Sequence, residues 1–476
     1  YTVANMPPGG AKQLNDSDYD AIIDFVIARN ASETDVAYAL LSDQDDGADE
    51  QGSDADWENW SGAAAIDAVA RGKGGFKNRA IKRLSLVTDA LLASPPDGDW
   101  LSWRRTLDGQ GFSPLKQINR DTIGNLQLVW SLAMADGSNQ GTPLVHEGVM
   151  FLTHPNNSIQ AIEAATGEVI WEYNYDYPDD ARLLGGPTRN IAIYHDKLFL
   201  STYDAAIVAI DIHTGEQQWR TVKADYREAY THSSGPIVGA GVVLSGINGC
   251  ELYTRDGCFL TGHDPDTGKE LWRTSTIAYK GEPGGDTWGD QPDELRAGGD
   301  SWIAGSFDTK LNLFLIGTSQ PKPWVAASRG MSPLDRALYT NSTLAIDPAT
   351  GKIVWAFQHV PGETIDMEVG FERVLVDVDD NPYVLTIGKD GILWKLNRET
   401  GEFVDFVETL PQNVFVALDK QSGTVTYRQD IIDAVVNETV SACPGIYGGH
   451  NWQASAFYPP GQALVIPLHQ TCTDMV

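Results

Sequence analysis

The clearest pattern of apolar and polar positions in this chain is an eleven-residue phrase that recurs. At residues 161–171 (AIEAATGEVIW) an alternating apolar run ends in an acidic residue, a Thr-Gly pair follows, and a second run delivers a tryptophan. The phrase returns at 209–219 (AIDIHTGEQQW), 262–272 (GHDPDTGKELW) and 345–355 (AIDPATGKIVW), with a fainter copy at 395–405 (KLNRETGEFVD) and a further one starting at Ala417. Alternation predicts strands, and glycine supplies the positive φ of a tight turn, so each copy predicts one hairpin carrying one aromatic ring. Multi-strand units recurring at about 40–50 residues predict propeller blades or a β-solenoid. The tryptophan then reads as a flat ring packed between neighbouring units.

Outside this pattern the chain changes character. Ile22, Ile23, Phe25 and Val26 give one apolar side of a short helix that Asn15 or Asp16 would cap. Residues 43–56 (DQDDGADEQGSDAD) predict an acidic linker without a core. Residues 61–93 predict a helical connector whose basic side chains, Lys73, Lys77, Arg79, Lys82 and Arg83, lie on an acidic face of the repeat body. That body begins at Pro95, and residues 126–132 predict its first strand.

Charge and composition narrow the class. The 476 residues carry 65 acidic against 34 basic side chains, a formal net charge of −31, which argues against nucleic acid and anionic membrane surfaces as partners. No apolar run reaches the roughly 18 residues of a membrane span, and Tyr1 opens on polar sequence rather than on a secretory leader. The 14 tryptophans suit a repeated docking position.

Two resemblances add chemistry. Asn5-Met6-Pro7-Pro8-Gly9-Gly10 followed by a short helix resembles the last segment of a class I cytochrome c, which implies Met6 as a haem axial ligand. The Cys-x-x-Cys-His attachment signature is absent, so either a longer protein supplies it or these residues are a Pro-rich leader. From residue 95 onward the chain resembles the quinoprotein alcohol dehydrogenases, on segments matching in order: 99–115 (DWLSWRRTLDGQGFSPL), Gly249-Cys250-Glu251, Gly299-Asp300-Ser301-Trp302, Gly317-Thr318-Ser319-Gln320-Pro321, 360–370 (VPGETIDMEVG), Gly388-Lys389-Asp390-Gly391 and Gly448-Gly449-His450-Asn451-Trp452. The resemblance implies an all-β, eight-bladed propeller, left incomplete at its C-terminal end, carrying pyrroloquinoline quinone and a metal ion. The organisation it suggests is a cytochrome remnant over 1–30, linker and connector over 31–94, and propeller over 95–476. Both ends then read as cut from a longer quinohaemoprotein, or a second polypeptide completes the ring.

Alcohol oxidation by hydride transfer needs an acceptor, a Lewis acid, a base for the hydroxyl proton and flat walls around the cofactor. By resemblance, Asp366 is the base and Lys389 a partner of the quinone oxygens. Glu251, Gln320 and Asp366 are ligands of Ca²⁺, or of a lanthanide if Glu368 joins them; otherwise Glu368 is solvated or hydrogen-bonded. Hard oxygen donors suit such ions. Gln320 stands where the family has Asn and Glu368 where its lanthanide branch has Asp, so both reach one methylene further. Trp302 is the floor beneath the quinone, with Gln140, Arg189, Ser233, Asn248, Gly249, Lys389, Asn451 and Trp452 as further cofactor contacts. The family's vicinal cysteines are missing at Leu184-Gly185-Gly186-Pro187. Cys443 and Cys472 match a family disulfide, whereas Cys250 and Cys258 are either bonded beside the metal or free. The resemblance further implies a small alcohol substrate, cytochrome c with haem c as electron acceptor, and the periplasm. The contrasting reading is a propeller of the outer-membrane assembly type, a scaffold without quinone.

Overall fold

The computed structural model describes residues 77–181, 186–250 and 257–475. The cytochrome-like tail with Met6, the acidic linker, Lys73, Leu184, Gly185 and Glu251 therefore lie outside the described residues.

The first five copies of the phrase form the third and fourth strands of four-stranded antiparallel sheets, and the copy starting at Ala417 forms a two-stranded hairpin. The first sheet comprises Leu144–His146, Val149–His154, Ser158–Glu163 and Val169–Asn174. The second comprises Ala192–Tyr194, Lys197–Ser201, Ala206–Asp211 and Gln217–Val222. The third comprises Ile237–Gly239, Val242–Ser245, Phe259–His263 and Glu270–Ser275. The fourth comprises Ser306–Asp308, Leu313–Gly317, Ser342–Ile346 and Ile353–Gln358, and the fifth Val374–Val378, Asn381–Ile387, Ile392–Asn397 and Phe403–Glu408. Where eight blades were expected, five four-stranded sheets form among the described residues. They are followed by the hairpin Phe415–Leu418 with Val425–Tyr427, the hairpin Ala456–Tyr458 with Ala463–Val465, and the pair Val440–Ala442 with Thr473–Met475.

The turn accounts for the letters of the phrase. Its acid caps the turn: Asp211 Oδ1 accepts the amides of His213 and Thr214 at 2.8 and 2.9 Å, and Asp347 and Asp419 do the same in their copies. Its glycine is left-handed, with φ between +71° and +75° from Gly167 to Gly401. The same glycine is where the preceding sheet docks. The Trp171 ring lies where a Cβ on Gly215 would be, 2.7 Å away, and its Nε1 donates to Ile212 O at 3.0 Å. Trp219 meets Gly268, Trp272 meets Gly351 and Trp355 meets Gly401 in the same way. Neighbouring sheets are thus joined ring on glycine, as the tryptophan pattern predicts.

In the fifth copy, which has Asp405 at the tryptophan position, Phe403, two residues earlier, docks and covers Gly423. Two expectations need correction. Residues 126–132 alternate as a strand would, yet they pair with nothing, and Leu128 and Val129 are exposed. From this stretch Trp130 docks on Gly167, a position outside the phrase that only the packing reveals. In the described part of the connector only Asp89–Ala93 is helical. The preceding stretch runs extended, tied to the first two sheets by Arg79 N to Ile170 O, Ile81 N to His213 O and the paired amides of Val87 and His195. The carbonyls and side chains of the sheets satisfy its backbone, so helical hydrogen bonds are not needed.

A second tie joins several sheets. Residues 100–110 pair Trp100 with Val145, and Leu107, Asp108 and Gln110 accept the amides of Phe307, Leu375 and Phe457. The segment therefore contacts the innermost strands of the first, fourth and fifth sheets and the 456–465 hairpin, and it buries Leu101, Trp103 and Leu107.

Because Trp171 is fully buried and spans two sheets, Trp171→Ala should cost about 3–5 kcal/mol of unfolding free energy, read from denaturant melts. A loss under about 1 kcal/mol would contradict the inter-sheet role of the ring.

Candidate active site

In an antiparallel sheet the start of the first strand lies beside the end of the second. The residues singled out above sit at these two points. Gln140, Arg189, Ser233, Trp302, Asp366, Glu368, Asn451 and Trp452 precede first strands, whereas Asn248, Gly249, Gln320 and Lys389 follow second strands. One end of the sheets therefore collects groups up to hundreds of residues apart.

Ser233, Asn248, Gly249, Trp302, Gln320, Asp366, Glu368 and Lys389 line one cavity of about 260 Å³, together with Thr231, Asp300, Ser319 and Lys322. Lys389 Nζ bridges the two carboxylates, 3.1 Å from Asp366 Oδ2 and 2.9 Å from Glu368 Oε1. Trp302 Nε1 donates to Glu368 Oε2 at 3.0 Å, and Gln320 Nε2 donates to Asp366 Oδ1. Gly249 N donates to Asp300 Oδ1 at 3.0 Å. Glu368 is thus hydrogen-bonded and buried rather than solvated.

Gln140, Arg189 and Trp452 line an adjoining cavity of about 350 Å³ with Trp103 and Arg104. Arg189 links the two: its guanidinium lies 4.7 Å from the Trp302 ring centroid, a cation–π contact, and Nη1 donates to Ser233 O at 3.0 Å. Asn451 lines neither cavity; its Nδ2 donates to Tyr447 O and its Oδ1 accepts from Trp452 N. Of residues 274–300, which the sequence places over the entrance, Asp300 lines the smaller cavity and the others line neither cavity among the described residues. They pack against the 326–340 region instead, with Trp288 buried and donating to Leu338 O at 2.6 Å.

The electrostatics separate two carboxylates that lie side by side. Burial and the neighbouring Glu368 push the Asp366 carboxyl up to about 6, against the pull of Lys389. Burial also opposes ionisation of Glu368, but Lys389 and Lys322 hold its carboxyl below the usual value. Lys389 is raised: burial works against its charge, and the two carboxylates outweigh it. Burial lowers Arg189 to about 10. Asp366 has φ +61°, the left-handed region that few non-glycine residues occupy.

The donor set suits a hard cation. Gln320 Oε1 is buried with no hydrogen-bond partner, beside two carboxylates in one cavity, and none of these donors is a soft ligand. The adjoining cavity likewise leaves Arg189 Nε–H buried without a partner, a donor that a carboxylate of a planar cofactor could satisfy, and Gln140 Oε1 buried without a donor. Both cysteine pairs are disulfides, Cys250 with Cys258 and Cys443 with Cys472, and Cys250 follows Gly249 at the edge of the smaller cavity.

Several residues that shape the site went unmarked in the sequence reading. Lys322 lines the smaller cavity directly after the Gln-Pro segment, a charge in an otherwise apolar Pro-x-Pro-Trp setting. Gly448 and Gly449 pack on the Lys389 backbone; a Cβ on Gly448 would meet Lys389 Cα at 2.5 Å. Glu372, fully buried, accepts Ser455 N at 2.7 Å and lies 3.4 Å from His450 Nε2, holding the segment that carries Trp452 to the one that carries Asp366.

Fold and site together define a β-propeller with a polar, cation-suited cavity at one end of its sheets. The family model for the PQQ glucose/ethanol/alcohol dehydrogenase β-propeller domain matches residues 100–412, and the chain belongs to that family. It is 30% identical over 404 residues to the quinohemoprotein alcohol dehydrogenase ADH-IIG of Pseudomonas putida, covering 80% of this chain and 55% of that protein. It is 28% identical over 425 residues to the quinoprotein ethanol dehydrogenase of Pseudomonas aeruginosa, covering 79% and 68%. Among solved structures, the quinohemoprotein alcohol dehydrogenase ADHIIG from Pseudomonas putida HK5 superposes with a TM-score of 0.74 at 28% identity, over 82% of this chain and 60% of that one. A europium-containing methanol dehydrogenase shares the fold at TM-score 0.74 and 24% identity, over 81% and 71%. The chain spans about half the length of several of the curated relatives it matches.

Burial alone would raise Glu372, but the His450 and Ser455 contacts hold it at about 2, below its ordinary 4.5. A depressed carboxyl stabilises the fold above pH 4.5, and that stability is lost as pH falls toward 2. Glu372→Gln should remove on the order of 3 kcal/mol near neutral pH and flatten the stability–pH curve in this window. An unchanged slope in acid denaturation would contradict the assignment.

Proposed function

We propose that this chain is the catalytic propeller of a PQQ- and metal-dependent alcohol dehydrogenase, oxidising an alcohol to an aldehyde or ketone. The observation that carries the reading is the convergence of Trp302, Gln320, Asp366, Glu368 and Lys389, contributed by three sequence segments and a following turn, on one cavity. A scaffold propeller has no use for a lysine-bridged pair of carboxylates, Glu368 buried and Asp366 half-buried.

In this reading Gln320, Asp366 and Glu368 hold the cation, Ca²⁺ or a lanthanide, with Glu251 as a further ligand. Trp302, Arg189, Gln140, Ser233, Asn248, Gly249 and Trp452 hold the cofactor, and Asn451 supports Trp452 through the bond to its amide. When bound, the quinone accepts the hydride and the cation polarises its carbonyl. Asp366 takes the substrate hydroxyl proton; its raised carboxyl keeps it basic enough for that transfer. Lys389 offsets the charge of both carboxylates and would serve as a partner for the quinone oxygens.

A cytochrome c haem, which Met6 would ligate, would supply the electron acceptor. This step rests on the naming of the quinohemoprotein relatives and on the cytochrome-like sequence of residues 1–30. A periplasmic location fits two disulfides, which persist in oxidising compartments. No helix among the described residues is long and apolar enough to cross a membrane.

The test is reconstitution. Full-length protein loaded with PQQ and either Ca²⁺ or a light lanthanide should reduce a redox dye in the presence of primary or secondary alcohols. Asp366→Asn should lower kcat by about 10²–10⁴-fold. Alcohol-independent dye reduction with both metals, or an Asp366→Asn variant as fast as the parent, would sink the proposal.

A further inference from the structure

The left-handed Asp366 raises the question of what holds it there. Glu363, three residues earlier, is fully buried, and its Oε1 accepts two amides, Ile365 N at 2.6 Å and Met367 N at 2.8 Å. These amides flank Asp366. Two N–H groups one residue apart converge on a single anion only when the backbone between them alternates hand, the geometry of an anion-binding nest. The carboxylate of Glu363 fills that nest from within its own loop.

The loop is fixed on its other side as well. Arg329 donates to Glu363 O at 2.7 Å and to Pro323 O and Trp324 O at 3.0 and 2.9 Å, and Ala326 N donates to Thr364 Oγ1 at 2.8 Å. Gly362 has φ +62°, and a Cβ there would meet Pro333 O at 1.9 Å. The side-chain contacts recorded for Glu363 run to the backbone around Asp366, and the residue lines neither cavity.

We infer that Glu363 is a positioning residue: by clamping the amides on either side of Asp366 it holds that residue left-handed and aims its carboxylate at Lys389 and the cavity. The inference rests on the proposed role of Asp366 for its kinetic consequence, but not for its structural one.

The experiment compares Glu363→Met, which keeps the side-chain length and removes the acceptor, with Glu363→Gln, whose amide oxygen can still accept both N–H groups. In the reconstituted full-length protein, E363M should lower kcat about 100-fold with KM little changed, the scale expected for an ångström-size misplacement of a reacting group. E363Q should restore most of the rate. In a crystal structure of E363M, Asp366 should leave positive φ and its 3.1 Å contact with Lys389 should open. If E363M keeps φ, contact and kcat, the clamp is wrong. If E363M does not fold, E363Q decides: a folded E363Q as slow as Asp366→Asn overturns the acceptor role. Should Asp366→Asn itself be fully active, the base assignment fails, while the backbone of E363M still judges the clamp.

Discussion

The structure depends on a ring laid flat on a glycine. Each docking tryptophan occupies the space that a side chain would take at the left-handed turn of the next sheet, and the indole N–H groups of Trp171, Trp219 and Trp272 close on a carbonyl of that turn. The contact needs both partners: without the aromatic ring the sheets lose their buried seam, and without glycine the ring has no seat. Repeating it keeps the sheets in a constant relation, and so brings the starts of their first strands and the ends of their second strands to a common end. The candidate active site is a consequence of that alignment.

What gathers at this end is electrostatically demanding. Two carboxylates side by side, one buried and one half-buried, would repel, and leaving both ionised requires a cation between them. Lys389 supplies one, its backbone packed against Gly448 and its carbonyl held by the Gly449 amide. The unpartnered oxygen of Gln320 and the pressed-up carboxyl of Asp366 describe a site arranged for more positive charge than lysine alone brings. Behind it, Glu372 with His450 and Ser455, and Glu363 with the amides around Asp366, act as a second layer that orients the first. A bound hard cation would compete with Lys389 for the same oxygens, and the extra methylenes of Gln320 and Glu368 extend their reach toward it.

Much of this was legible in the sequence. The phrase with its Thr-Gly and tryptophan foretold hairpins and inter-sheet packing, because turn chemistry and alternation are local properties. Trp302, Gln320, Asp366 and Lys389 were legible through short segments matching a family in order. The roles of Glu363 and Glu372 were not, because they arise from complete burial and from hydrogen bonds that a carboxylate in an unremarkable turn does not advertise; Glu372 reaches Ser455 across 83 positions. The docking of Phe403 was not legible for the same reason: docking requires an aromatic ring in a place, and Phe403 fills that place from a different register than the tryptophans do. Residues 126–132 misled because alternation describes a strand's faces but not whether a partner strand is present. The basic connector misled because its hydrogen bonds go to the sheets rather than along itself.

The central claim is that two adjoining cavities, linked where Arg189 lies over Trp302, hold the hard cation and the quinone, each completing the other's binding. Calorimetric titration of the full-length protein with PQQ, in the absence and presence of Ca²⁺ or La³⁺, tests it most directly. The account predicts saturable binding of one quinone per chain that tightens at least tenfold with the metal, and a loss of that coupling when Gln320 and Glu368 are truncated. Quinone binding indifferent to the metal, or a coupling that survives those truncations, would contradict it.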